Sequence, residues 1–298
     1  KRLRPEYLDD PTVVASFIDE ANLASSLVHS NIVPVLDFGK VGDEYFLATE
    51  YILGRDLGRI TQQLKQRTGA GMPVAAVLHA AHQVLEALEY AHSRTGAGGS
   101  SLGIVHRDVS PNNVLVSARG EVKLFDFGIV KAEGRVTRTQ HGVVKGNVSF
   151  MSPEQARGIE VDARADLFSL GLVMYYCLTG DVLYQGNTSY ELLLKAATGP
   201  DAADRARIEA LPAPANALCA RALAVDAGGR FQSAGEFAAA LAPHLGRGGG
   251  ELSELMTRLF ADDFRKEEER FATAVPVAAG AAPAAPPAGP QANVRRGQ

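Results

Sequence analysis

The sequence has 298 residues, of which 46% are apolar, and a formal net charge of −4 at pH 7. This length and apolar content suffice for one large domain or two, with a sizeable buried core. A chain with this negative charge is not expected to bind nucleic acid or a membrane surface as a whole.

The cysteines and the hydropathy pattern indicate the compartment. Cys177 and Cys219 lie in apolar helical patterns and lack the spacing of a disulfide framework or a metal site. They predict reduced core thiols, so we expect a cytoplasmic location. No segment reaches the roughly 18 consecutive apolar residues that a membrane-spanning helix needs, so no membrane span is expected in this chain.

The N-terminal third predicts one helix and two strands. Residues 12–29 carry apolar side chains on one helical face, and Glu20 falls near that face. Apolar runs near 32–39 and 45–52 predict strands, and the second run leads into a glycine turn.

A second helix is predicted over residues 73–93, because a proline opens the segment and apolar residues recur at helical spacing. The glycine- and serine-rich segment 95–103 then predicts a flexible loop.

The strongest chemical signal follows this loop, in HRDVSPNNVLV (106–116) and LFDFG (124–128). Asp108, Asn113 and Asp126 each adjoin a β-rich apolar run, so a hairpin would bring them together. Mg²⁺ binds oxygen ligands and keeps its substrate phosphates, so an amide oxygen and one carboxylate suit it. The second carboxylate stays available to orient a hydroxyl, and we assign that role to Asp108. Each residue alone would indicate only a turn.

The C-terminal half is mainly helical. Asp166 opens an apolar helix that ends at Gly180, and further helices are predicted over 188–197, 214–224 and 233–245. GRGGG then predicts a linker, and a single amphipathic helix follows it. Its apolar residues are Leu252, Leu255, Met256, Leu259, Phe260 and Phe264.

The order of these motifs resembles that of protein kinases of the eukaryotic type. HRD, an asparagine five residues after its aspartate, DFG, and an APE-like SPE at 152–154 occur in the kinase order. An ordered set of motifs is more specific than any one pattern. The resemblance covers about residues 1–245. Pro111 and the lack of an AAR-N pattern make it similar to the bacterial-style serine/threonine branch rather than the tyrosine branch.

The resemblance implies an α+β, two-lobed protein-kinase-like fold. Residues 1–52 are expected to form an incomplete, β-rich small lobe, and residues 53–246 a mainly helical large lobe. Residues 247–271 are expected to be a linker and the amphipathic helix, and 272–298 a disordered Ala/Pro-rich tail. Because the sequence opens on Lys1 rather than Met, we expect it to be truncated at the strand lysine, with the Gly-rich loop upstream.

The resemblance also implies a catalytic set that uses ATP and Mg²⁺. Asp108 would orient the substrate hydroxyl and take its proton, and Asn113 and Asp126 would bind Mg²⁺. Lys1, held by an ion pair with Glu20, would bind the α- and β-phosphates of ATP.

The resemblance also implies that the segment around residue 50 binds the adenine and the ribose of ATP. The backbone groups of Glu50 and Ile52 would hydrogen-bond adenine, with Thr49 as the gatekeeper. Asp56, at the start of the next helix, would reach the ribose, and Leu115 would form the floor under adenine.

Regulation and support follow from the same resemblance. Arg107 would bind a phosphorylated residue of the activation segment, and Thr137 and Thr139 are the candidates. Contacts between two kinase chains would allow one chain to phosphorylate the other. Asp166 would hold the HRD loop. Glu154 would pair with Arg230.

Two residues depart from the kinase pattern. Ser110 stands where a lysine is common, and Asn147 stands where a threonine is common. Loss of a cation near the developing negative charge costs several kcal/mol of transition-state stabilisation. Lys145 is a candidate substitute for that cation.

We therefore expect a serine/threonine protein kinase that acts on protein substrates in signalling. Two alternatives remain open. A pseudokinase scaffold is favoured by Ser110 and Asn147. A small-molecule phosphotransferase of kinase-like fold is disfavoured by the SPE motif and by the Asp166 helix.

Overall fold

The computed structural model describes residues 1–3, 7–96, 98–127 and 148–273, apart from the side chain of Glu20. The architecture is α+β, as predicted, with small antiparallel sheets and a mainly helical region. In the described ranges the strands are β1 (Val35–Val41), β2 (Glu44–Thr49), β3 (Gly54–Asp56), β4 (Val114–Ser117) and β5 (Val122–Leu124). The helices are α1 (Pro11–Ser26), α2 (Leu57–Thr68), α3 (Val74–His92), α4 (Pro153–Arg157), α5 (Arg164–Thr179), α6 (Ser189–Thr198), α7 (Ala202–Glu209), α8 (Ala215–Ala222), α9 (Ala234–Leu241) and α10 (Gly248–Thr273).

The first residues of the chain join the N-terminal sheet. β1 and β2 pair antiparallel, and residues 1–3 run along the other edge of β2. The backbone N–H of Leu3 donates to the carbonyl of Tyr45 at 3.0 Å, and the N–H of Leu47 donates to the carbonyl of Lys1 at 2.8 Å. Lys1 therefore lies in extended backbone at the edge of a sheet.

Helix α1 packs against this sheet. The side chain of Asp10 caps its first turn by accepting from the N–H groups of Thr12 and Val13. Phe17 and Ala21 are buried against Leu47. The helix ends three residues before the predicted residue 29, because the backbone becomes extended after Ser26.

The segment after α1 bonds to β5 and not to the first sheet. The N–H of Val33 donates to the carbonyl of Leu124 at 3.0 Å, and the N–H of Leu124 donates to the carbonyl of Asn31 at 2.7 Å. The buried Asn31 amide also donates to the carbonyl of Val122 and to Gln83 Oε1. The strand predicted from residue 32 therefore begins only at Val35.

Strands β3, β4 and β5 form a second antiparallel sheet, in that order. One face of this sheet is apolar and buried, and it consists of Val114, Val116, Val122 and Leu124. On the other face Leu115 lies between Asp56 of β3 and Lys123 of β5. Because β3 runs directly into α2, Asp56 is both the last residue of a strand and the cap of a helix.

Helix α5 is the centre of the helical region. Every residue from Ala165 to Tyr175 is buried, and α2, α3, α8 and α9 contact this helix. A Cβ added to Gly171 would lie 3.0 Å from the Cβ of Ala222, so glycine allows α5 and α8 to approach closely. The predicted C-cap is confirmed, since Gly180 has φ 74°.

Two helices of this region, the short α4 and α7, were not predicted. The expected segments correspond to α6, α8 and α9, but α7 has no apolar stripe to reveal it. Half of its side chains are charged, three of the others are alanine, and only Asp204 and Ile208 are buried. A capping box, in which Asp201 and Asp204 each accept from the other's backbone N–H, starts the helix.

The predicted glycine linker is partly helical. Gly248, Gly249 and Gly250 form the first turn of α10, and the first compact unit extends through Ala261. The apolar stripe within that unit is almost fully buried, and each such side chain contributes about 1.5–3 kcal/mol. Its residues are Leu252, Leu255, Met256, Leu259 and Phe260. The second unit begins at Asp262.

None of the helices in the described ranges is both long and apolar enough to cross a bilayer. Over the same residues, no three His, Cys, Asp or Glu side chains cluster as a metal site. Cys177 and Cys219 are buried free thiols. Burial raises the pKa of each to about 12, so both stay protonated at neutral pH.

Candidate active site

The loop before β4 is closed by its own polar groups. A 3₁₀ turn over Pro111–Asn113 leads into the strand, and the N–H of Asn113 donates to the carbonyl of Ser110 at 3.0 Å. The side-chain Nδ2 of Asn113 donates to the backbone carbonyl of Asp108 at 2.8 Å. Among the described residues, Asn113 Oδ1 accepts no hydrogen bond, so it is available to a cation.

Asp166 holds this loop from below. Its carboxylate accepts from the backbone N–H groups of His106 and Arg107, each at 2.8 Å, and from His92 Nε2 at 2.8 Å. Burial alone would raise the pKa of Asp166, but the hydrogen bond and charge of His92, with the backbone hydrogen bond from His106, outweigh burial and lower it. Asp166 is therefore ionised, and the predicted anchoring of the HRD loop is confirmed.

This anchor supports a strained backbone. Arg107 has φ 63°, in the left-handed region that costs a non-glycine residue about 1–2 kcal/mol. The hydrogen bond from its N–H to Asp166 holds that conformation, and Gln155 Nε2 donates to its carbonyl at 2.7 Å. The next residue, Asp108, is half-buried.

His106 connects Asp108 to the segment before Asp126. The N–H of Asp108 donates to His106 Nδ1 at 3.2 Å, and His106 Nε2 lies 3.1 Å from the carbonyl of Phe125. This tautomer carries its proton on Nε2. Burial lowers the pKa of His106 more than the nearby carboxylates raise it, so the ring is neutral at neutral pH. The ring packs on Phe127, with centroids 4.5 Å apart.

Asp126 lies beside Asn113 and Lys1. The N–H of Phe125, its neighbour, donates to the carbonyl of Asn113 at 3.1 Å. Asp126 itself has φ 58°, a second left-handed non-glycine residue. Lys1 Nζ lies 3.1 Å from Asp126 Oδ1, and both side chains are partly exposed. The structure thus brings Lys1 to Asp126 and holds the segment of Asn113 against that of Asp126. Sequence analysis assigns all three residues to one site.

The segment assigned to adenine contacts β5, the strand that leads to Asp126. Thr49 ends β2, and the N–H of Glu50 donates to the carbonyl of Pro34 at 3.0 Å, so this N–H is already used within the fold. Lys123 Nζ lies 3.5 Å from Glu50 Oε2. Ile52 is half-buried two residues further on.

The ribose and floor residues lie opposite each other on neighbouring strands, since Asp56 of β3 pairs with Leu115 of β4. Asp56 Oδ1 accepts from the N–H of Arg59 at 2.8 Å. This carboxylate therefore caps α2, whatever else it binds.

Several predicted residues lie outside the description. The side chain of Glu20 lies outside the described part of the chain, so the predicted ion pair between Glu20 and Lys1 stays a prediction. Thr137, Thr139, Lys145 and Asn147 fall outside the described residues. Within the described part, Arg107 Nε is buried and has no hydrogen-bond partner.

A family model described as the protein kinase domain matches residues 2–240. The chain belongs to the protein kinase family. Members of this family generally use ATP with Mg²⁺ and act on protein substrates.

The kinase has bacterial relatives. The tyrosine-protein kinase MasK of Myxococcus xanthus is 36% identical over 278 residues, which cover 92% of this chain and 43% of MasK. The serine/threonine-protein kinase PknB of Mycobacterium leprae is 34% identical over 246 residues, or 81% of this chain and 38% of PknB. The chain thus spans less than half the length of either relative.

The fold of the kinase is also found in a solved structure. The crystal structure of the PknI kinase domain of Mycobacterium tuberculosis matches with a TM-score of 0.57 and 29% identity. The match covers 82% of this chain and 83% of that one. The protein-kinase-like α+β fold predicted from the sequence is therefore confirmed.

Sequence reasoning missed two side chains that support the catalytic loop of the kinase. His92 is the side-chain partner of Asp166, and Gln155 holds the carbonyl of Arg107. His92 has one weak signal in the sequence, since a polar residue ends an otherwise apolar helix face. Gln155 has none, because it follows the SPE motif on a short helix, α4.

The kinase also contains the predicted buried ion pair. Arg230 Nη1 and Nη2 donate to the two carboxylate oxygens of Glu154 at 2.7 and 2.9 Å. The other donors of Arg230 reach the carbonyls of Ala224, Arg164 and Val225. All five N–H groups of a side chain with no solvent exposure are therefore used.

Proposed function

We propose that the protein transfers the γ-phosphate of ATP to serine and threonine hydroxyls of protein substrates, in a signalling role. One observation carries this proposal. Lys1 Nζ lies 3.1 Å from Asp126 Oδ1 although the residues are 125 positions apart. The ammonium group of Lys1, at the edge of a sheet, and the carboxylate of Asp126, just after β5, are therefore adjacent. A phosphate bound by Lys1 and a metal ion bound by Asp126 would then lie side by side.

Asp108 is the proposed catalytic base. Its N–H is held by His106 and its carbonyl by Asn113, so the main chain on which the carboxylate sits is fixed. A fixed carboxylate orients a substrate hydroxyl toward the γ-phosphate and accepts its proton during transfer.

Asn113 and Asp126 are the proposed ligands of Mg²⁺. The available Oδ1 of Asn113 and the carboxylate of Asp126 are the hard oxygen donors that this ion prefers, so the residues fit it. Bound Mg²⁺ would neutralise charge on the phosphates of ATP. The hydrogen bond between Phe125 and Asn113 keeps the two ligand-bearing segments adjacent.

The remaining site residues would bind ATP itself. Lys1, held by Glu20, would bind the α- and β-phosphates. The carbonyl of Glu50 and the backbone of Ile52 would bind adenine, between the gatekeeper Thr49 and the floor residue Leu115. The second carboxylate oxygen of Asp56 would bind the ribose, since the first caps α2.

The lysine that kinases commonly carry at position 110 has no replacement in the loop itself. Ser110 is only 4% exposed, so its hydroxyl is turned inward. We propose Lys145 as the cation near the γ-phosphate, which would keep the charge of the site.

The setting follows from the chemistry. ATP and reduced buried thiols fit a cytoplasmic location, and the net charge of −4 disfavours nucleic acid as a partner. Two copies of the kinase would meet to phosphorylate Thr137 or Thr139. Arg107 Nε, which has no partner among the described residues, would then bind the phosphate.

Radiolabelled phosphate transfer tests this function. The full-length protein, incubated with γ-labelled ATP, Mg²⁺ and a mixture of protein substrates, is expected to yield labelled phosphoserine and phosphothreonine after acid hydrolysis. Incubation without Mg²⁺ is the control and is expected to give no label. Because MasK is described as a tyrosine kinase, label found only in phosphotyrosine would contradict the proposed hydroxyl specificity.

A further inference from the structure

Helix α10 lies outside the residues that the kinase family model matches, which end at 240. Its first part nevertheless belongs to the same compact unit as the kinase core. Leu252 and Met256 have no solvent exposure, and Phe260 is 2% exposed. A stripe buried this completely belongs to a fixed element and not to a tether.

The N-terminal end of α10 lies directly on the first turns of α3. A Cβ added to Gly248 would lie 2.1 Å from the carbonyl oxygen of Ala75, and one added to Gly249 would lie 3.1 Å from the ring of His79. Glycine weakens a helix by about 1 kcal/mol relative to alanine. Here it permits a contact that any side chain would prevent.

The middle of the helix contacts the turn between β4 and β5. Gly120 has φ 88°, and a Cβ added to it would lie 3.0 Å from the backbone nitrogen of Ser253. The turn therefore requires glycine both for its backbone conformation and for its contact with α10.

The last part of the unit's helix reaches α2 and β3. Arg67 of α2 donates to the carbonyls of Arg258 and Leu259, at 3.4 and 3.2 Å. The guanidinium of Arg55 in β3 lies over the ring of Phe260, 5.6 Å from its centroid. Arg55 also donates to the carbonyl of Gly54 at 2.7 Å, so its side chain is held on its own strand.

The strand that Phe260 reaches carries part of the proposed nucleotide site. Arg55 is adjacent to Asp56, the proposed ribose ligand, and Asp56 lies opposite Leu115, the proposed floor of the adenine site. We propose that α10 holds β3 in place for nucleotide binding, with Phe260 and Arg55 as the positioning residues. This inference rests on the proposed function, because it assumes that ATP binds over this sheet.

Titration of ATP with Mg²⁺ into the full-length protein tests the inference. Phe260→Ala and Arg55→Ala are each expected to raise the Kd for ATP by about three- to tenfold, the range of a cation–π contact. The double variant is expected to bind no more weakly than the weaker single variant, because both changes remove the same contact between Arg55 and Phe260. Arg55→Lys keeps a cation over the ring and is expected to retain most of the affinity. kcat at saturating ATP should stay at the wild-type value.

Leu252→Ala is the matched control. Leu252 lies on the same buried stripe, eight residues or about 12 Å along the helix from Phe260. The control is expected to lower Tm and leave the Kd for ATP unchanged. If Phe260→Ala and Arg55→Ala also leave Kd unchanged while the wild type binds ATP, the inference is overturned and the proposed function stands. If the wild type does not bind ATP, both fail. Should Phe260→Ala not fold, the half-buried Arg55→Ala decides alone.

Discussion

Replacing Asp108 with asparagine is expected to lower kcat for phosphate transfer by about 10²- to 10⁴-fold, the contribution of a positioned general base. The amide has the shape of the carboxylate but cannot accept the substrate proton. The main chain of the loop should keep its structure, because the bonds from His106, Asn113 and Asp166 do not involve the Asp108 side chain. The Kd for ATP should therefore change little. Single-turnover transfer and nucleotide titration measure the two quantities separately.

Asp43→Asn is the matched control for this experiment. Asp43 lies in the turn between β1 and β2, and its side chain is 98% exposed. The same change of charge at this position is expected to leave kcat at the wild-type value. An Asp108→Asn variant that transfers phosphate as fast as the control would contradict the assignment of the base.

Replacing Arg230 with methionine is expected to destabilise the kinase by about 3–5 kcal/mol, as for other buried ion pairs broken from one side. The substitution leaves the Glu154 carboxylate without its cation. It also leaves three backbone carbonyls without their donor. For a domain of this size the loss corresponds to a fall in Tm of about 10 °C. Thermal unfolding followed by circular dichroism measures it.

The control for Arg230 is an exposed pair of the same type. Arg2 lies 3.0 Å from Glu44, but its side chain is 76% exposed. Exposed ion pairs contribute little because water and salt screen them. Arg2→Met is therefore expected to leave Tm almost unchanged, and an equal loss in both variants would show that burial is not the reason for the effect.

The same ion pair predicts an acid dependence. Burial by itself would raise the pKa of Glu154, but the hydrogen bonds and charge of Arg230 outweigh it, so the pKa is lowered. A carboxylate with a lowered pKa stabilises the fold above its ordinary pKa of about 4.3 and loses that contribution as pH falls through the folded value. The difference in Tm between the wild type and Glu154→Gln should therefore shrink below about pH 4.3.

The sequence could predict those parts of the molecule that depend on local patterns. The apolar repeat of 73–93 predicts α3 to within one residue at each end. Gly180 marks the end of α5, where a left-handed residue is needed. The short spacing between Asp108, Asn113 and Asp126 predicts the hairpin of β4 and β5, and the structure brings their segments together as expected.

Other parts could not be predicted because distant contacts determine them. α1 stops at Ser26, since Asn31 must reach Val122 and Gln83. α10 includes Gly248, which local preference assigns to a linker, because Ala75 leaves room only for glycine. His92 contacts Asp166, which is 74 positions away in the sequence. A pattern of neighbouring residues cannot predict a contact over that separation.

The site residues themselves have two kinds of support. Lys1 and Asp126 are supported by a direct contact, since Lys1 Nζ lies 3.1 Å from Asp126 Oδ1. Glu50, Ile52 and Leu115 are supported by position alone, because backbone and apolar contacts leave no specific side-chain signal. The roles of all these residues remain predictions that ligand binding must test.

The most direct test of the shared metal and nucleotide site is the dependence of ATP affinity on Mg²⁺. ATP is titrated into the full-length wild type and Asp126→Asn, with Mg²⁺ and with EDTA. We expect Mg²⁺ to tighten ATP binding to the wild type, and we expect Asp126→Asn to lose most of that gain. Equal gains from Mg²⁺ in both proteins would contradict a site in which Asp126 binds the metal beside Lys1 and Asn113.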